Sequence, residues 1–83
     1  MATQKITIKQ PIKLGPDWAV TSAWVTDGPI VLIRATSLTG LTVHSRLDMQ
    51  KSMFIDSPLT EIKKADIQHL VKVLYAAVDT PNW

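Results

Sequence analysis

Apolar and polar residues alternate along the first two thirds of the chain, and a helical period replaces that alternation near the end. Over residues 4–14, Ile6, Ile8, Ile12 and Leu14 share one parity, and Lys5, Thr7, Lys9 and Lys13 share the other. A period of two predicts a strand with one face buried. Pro11 has no N–H to donate, so this strand is expected at a sheet edge or broken at that residue. Gly15-Pro16-Asp17 signals a turn. Residues 18–25 form a second strand, with Trp18, Val20 and Trp24 on one face and Ala19, Thr21 and Ala23 on the other. The Asp27-Gly28-Pro29 turn leads into a third strand, residues 30–35. Its four leading residues, Ile30, Val31, Leu32 and Ile33, are all apolar, the pattern of a central strand covered on both faces. Residues 41–47 alternate again, Leu41, Val43 and Leu47 against Thr42, His44 and Arg46. Residues 51–56 make a short fifth strand, or else continue the fourth through a bulge near Met49 or Gln50.

The helical period comes next. Ile67, Leu70, Val71, Leu74, Ala77 and Val78 recur at the spacing of one helix face. Ser57-Pro58 would suit a helix start. A helix running unbroken from there would carry Lys63 into the middle of the apolar stripe, between Leu70 and Leu74, and bury its charge. The helix is therefore expected over about residues 64–79, with Asp66 in its first turn and Pro81 beyond its end.

These elements predict an α+β domain: an antiparallel meander of four to five strands with one C-terminal amphipathic helix packed on one face. The expected core is Ile6, Ile8, Val20, Trp24, Ile30, Val31, Leu32, Ile33, Leu41, Val43, Ile55, Ile67, Leu70, Val71 and Leu74. The helix also carries apolar residues off its stripe, Val73 and Ala76, with Ile62 near its start. One helix covers one sheet face, and residues 30–33 read as covered on both, so a second copy is expected over the rest. Val73, Ala76, Ile62 and Trp83 are the candidate interface residues of such a homodimer.

Composition narrows this picture modestly. The 83 residues are one domain's length, and a core that small is thin. There is no cysteine, which excludes disulfide staples and thiolate metal clusters. The start, MATQKITIKQ, has no apolar run of the signal-peptide kind, so the cytoplasm is the expected location and no membrane association is expected. The net charge is +2. Residues 1–52 carry Lys5, Lys9, Lys13, Arg34, Arg46 and Lys51 against Asp17, Asp27 and Asp48. The excess of cations thus lies on the strands.

Candidate chemistry is sparse. The two histidines, His44 and His69, share no metal-ligand spacing. Asp48 follows His44 on the same strand face but about 13 Å along it. Ser45 adjoins His44, and neighbours on a strand point to opposite faces, so they cannot act as nucleophile and base. No glycine-rich phosphate loop occurs. No catalytic residue, metal or cofactor is assigned, and an enzyme is not expected. The leading expectation is a small non-enzymatic binding or interaction protein acting as a homodimer, of the size common among accessory proteins of phages and mobile elements, with an unknown protein partner. An alternative is a single-stranded nucleic-acid-binding module using a basic sheet face built from Lys5, Lys9, Arg34, His44, Arg46 and Lys51. A second alternative is a small enzyme or ligand-binding domain with its site at a subunit interface.

Overall fold

A computed structural model describes residues 4–56, 59 and 62–77. Its strands are β1 (Gln4–Ile6), β2 (Ile12–Leu14), β3 (Trp18–Asp27), β4 (Ile30–Ser37), β5 (Thr42–Asp48) and β6 (Met53–Asp56), followed by the helix α1 (Lys64–Ala77). All pairings are antiparallel. The sheet runs β1-β3-β4-β5-β6, with β2 also on β3, so the chain from β3 onward is a meander. This is the expected α+β architecture.

The first predicted strand is two strands. β1 pairs with Ala23 to Val25 and β2 with Trp18 to Val20, leaving residues 7–11 off the ladder. Pro11, which has no N–H, falls in that gap. The gap faces an irregularity in β3 itself. The β3–β4 register skips Thr21, pairing Val20 with Ala35 and Ser22 with Arg34. Thr21 is a bulge, and its hydroxyl donates to the Arg34 carbonyl at 3.3 Å. One extra residue reverses the parity of the residues that follow it, here Ser22 to Val25, up to a second irregularity at Thr26. Trp18 and Val20 lie on the helix side before the bulge, and Ala23 and Val25 lie there after it. Trp24 is therefore not a core residue, contrary to the alternation read from residues 18–25. Ala23, fully buried, takes that place.

The core lies between the sheet and α1. Leu14, Val20, Val31, Ile33 and Leu47 from the strands meet Leu70 and Leu74 from the helix, all with no exposed surface. β4 alternates within it: Val31, Ile33 and Ala35 are buried, whereas Ile30 and Leu32 are half-buried on the opposite face. Within one chain, α1 thus covers only one face of the run 30–33. Leu41 lies just outside β5 and is 65% exposed, and Ile55 sits at an irregularity in the β5–β6 pairing and is 50% exposed. Neither belongs to the core. Met49, in the turn after β5, and Leu59 are buried instead.

α1 begins at Lys64. The Lys63 carbonyl accepts the N–H groups of Asp66 at 3.0 Å and Ile67 at 3.1 Å, and the Lys63 side chain stays exposed. Asp66 in the first turn complements the positive end of the helix dipole.

Candidate nucleic-acid interface

The sheet face turned away from α1 is built row by row from the strand register. Lys5 pairs with Trp24, Trp24 with Leu32, and Leu32 with Arg46, which makes one transverse row across β1, β3, β4 and β5. Ser22, Arg34 and His44 form the next row. Ala19, Thr36 and Thr42 form a third, with the two threonine hydroxyls 3.5 Å apart. On the other side of the tryptophan row stand Asp27, Ile30, Asp48 and Met53. Side chains opposite one another in an antiparallel ladder share a face. The face therefore grades from hydroxyls, through cations and an aromatic, to an acidic and apolar border.

Trp24 and Leu32 are half-buried, while Lys5, Arg34, His44 and Arg46 are exposed. The Arg34 guanidinium donates from Nη2 to the Ser22 hydroxyl at 3.0 Å, and Ser22 is only 5% exposed. Arg34 is thereby held across the β3–β4 pair rather than left to sweep through solvent. Arg46 is partnered within the chain. A guanidinium has five donors, so an oxyanion can share it. The Asp48 carboxylate is taken up by the turn after β5, where Oδ1 accepts the N–H groups of Gln50 at 3.0 Å and Lys51 at 3.1 Å.

The register brings together four of the six cationic candidates, Lys5, Arg34, His44 and Arg46. Lys9 and Lys51 are not strand residues. Lys9 lies in the excursion between β1 and β2, and Lys51 in the turn between β5 and β6. Trp24 joins the cations unannounced, because the Thr21 bulge that turns it outward leaves no mark on the alternation.

The interface candidates fall elsewhere. Val73 and Ala76 line a groove between the end of α1 and the 7–11 excursion, with Ile8 and Ile12 on its other wall. Val73 is half-buried against the core and Ala76 is exposed. Ile62 packs on the core beside Gly15, with its Cδ1 3.2 Å from where a Cβ at that glycine would stand. Trp83 lies outside the described residues.

Among the described residues, no three potential metal-ligating side chains gather. No helix among them is long and apolar enough to cross a membrane. No family model, curated protein or solved structure matches this chain.

Proposed function

We propose that the chain is a non-enzymatic binding module that takes single-stranded nucleic acid on its open sheet face. The observation that carries this reading is the position of Trp24 in one row with Lys5 and Arg46, beside the row of Arg34 and His44. Phosphates need cations, and unpaired bases need a flat apolar surface on which to stack. A duplex hides its base faces and would leave Trp24 unused. Hydroxyls from Thr36 and Thr42 add neutral contacts for phosphate or sugar.

The test is a titration of a fluorescently labelled twelve-residue oligothymidylate at two salt concentrations. Binding that weakens with salt supports the reading, and the double variant Arg34→Glu, Arg46→Glu should abolish it while leaving the circular dichroism spectrum unchanged. An absence of binding at low salt would sink it.

A homodimer is a second reading, favoured by Met53 and Ile55, which are 52% and 50% exposed. Both lie on β6, which ends the sheet among the described residues. An unpaired strand edge bearing exposed apolar side chains is a pairing site. Sedimentation of the wild type beside Ile55→Lys tests it, and a wild-type monomer at high concentration would refute it.

A further inference from the structure

We infer that the bound strand crosses the β-strands, along the row from Lys5 to Arg46, and that the face holds a short stretch of about three nucleotides rather than a long tract. The inference rests on the single-strand reading above and adds its path and length.

Charge sets the path. A strand laid lengthwise along β4 and β5 passes at one end onto the border held by Asp27 and Asp48, and at the other leaves the cations for the uncharged row of Thr36 and Thr42. That border is one residue pair beyond the tryptophan row, roughly 7 Å away, within the Debye length at physiological salt. A phosphate there meets like charge. A transverse strand avoids it, because its row begins on Lys5 at one edge and reaches Arg46 three strands later.

The length follows from the same row. Neighbouring strands are about 4.8 Å apart, so Lys5 and Arg46 are separated by about 14 Å, the span of about three nucleotides of an unstacked strand. Between those cations lie Trp24 and Leu32, two apolar side chains on which two successive bases can rest. Arg34, held by Ser22 in the adjoining row, faces the backbone between them. The ligand is thus any single strand with two stackable bases between phosphates, and nothing in the row reads base edges.

The prediction is specific about Lys5, which a lengthwise strand on β4 and β5 would not reach. Oligothymidylates of two to twelve nucleotides are titrated by anisotropy over a range of salt concentrations, on the wild type and on Lys5→Gln, Arg34→Gln and Arg46→Gln. All three residues are exposed, and urea midpoints check that the variants fold. Three phosphate contacts predict a logarithmic salt slope of about −2, and each glutamine should reduce its magnitude by about 0.7. Affinity should rise steeply up to about three or four nucleotides, the tetramer being the shortest oligothymidylate with three internucleotide phosphates, and only slowly beyond. Two results overturn the inference while sparing the single-strand reading: an unchanged slope in Lys5→Gln with reduced slopes in the two arginine variants, or affinity still climbing steeply past eight nucleotides. No binding of any oligonucleotide to the wild type would remove both.

Discussion

Arg34 and Ser22 are joined across the β3–β4 pair by a hydrogen bond from Nη2 to Oγ, 3.0 Å long. The hydroxyl is buried and the guanidinium is exposed, so the contact serves to fix the arginine more than to stabilise the sheet. Ser22→Ala removes donor and acceptor capacity together and leaves no orphaned buried group. Its cost in urea denaturation should stay below about 1 kcal/mol. Oligonucleotide affinity should nevertheless fall several-fold, because Arg34 then has to be ordered on binding. A stability loss well above that figure, with affinity unchanged, would show that the bond has only a structural role.

Trp24 and Leu74 look alike in hydropathy and should behave oppositely on truncation. Leu74 has no exposed surface, and Leu74→Ala should cost about 2–5 kcal/mol, a large share of the stability of so small a domain. Trp24 is half-buried on the open face, and Trp24→Ala should cost about 1–2 kcal/mol. In binding the order reverses, and Trp24→Ala should lose about 1–3 kcal/mol of affinity for single strands. Equal destabilisation by the two substitutions would mean that the face bearing Trp24 is covered.

Thr21 is the residue that decides which way Trp24 points. Deleting Thr21 restores one-for-one alternation from Trp18 to Val25, and one half of that segment must then turn over. Either Trp18 and Val20 leave the core, or Ala23 and Val25 do and the Trp24 indole enters a space filled by alanine. Both alternatives disrupt buried packing. The deletion should unfold the domain at room temperature, whereas Thr21→Ala, which keeps the residue count, should cost about 1 kcal/mol. Far-UV circular dichroism and thermal melts separate the two, and a deletion variant that melts like the wild type would refute the bulge.

The bulge also marks where the sequence ceases to be readable. Alternation identifies a strand and its two faces only while residues pair one for one. An extra residue such as Thr21 has no compositional signature, so alternation alone puts Trp24 on the core side and hides the aromatic centre of the candidate site. The break near Pro11 was legible because a missing N–H is a property of the residue itself. The helix start was legible for a similar reason, since the Lys63 charge is incompatible with the stripe at any packing. Met49 and Leu59 lie in no periodic element, and their burial depends on what the turns fold against. Lys5, Arg34, His44 and Arg46 could each be put on the polar side of their own strand, but only the register joins them into one surface.

Gly15 offers a local test of how the turn before β3 meets the approach to the helix. Its φ is +73°, and a Cβ there would stand 3.2 Å from Ile62 Cδ1. Gly28 has a comparable φ of +59°, but a Cβ there would meet nothing within 4 Å. Asparagine tolerates this left-handed backbone better than other residues with a side chain. Gly28→Asn should therefore cost about 1–2 kcal/mol, the strain of a side chain in this backbone ahead of Pro29. Gly15→Asn faces the same backbone geometry, also ahead of a proline, with the added crowding of Ile62, and should cost about 1–3 kcal/mol more than Gly28→Asn. The difference between the two variants isolates the contact from the backbone preference. Ile62→Ala opens the space beside Gly15, so in that background the cost of Gly15→Asn should fall to about that of Gly28→Asn in a double-mutant cycle read by urea denaturation. Additive effects would show that Ile62 does not pack against this turn in solution.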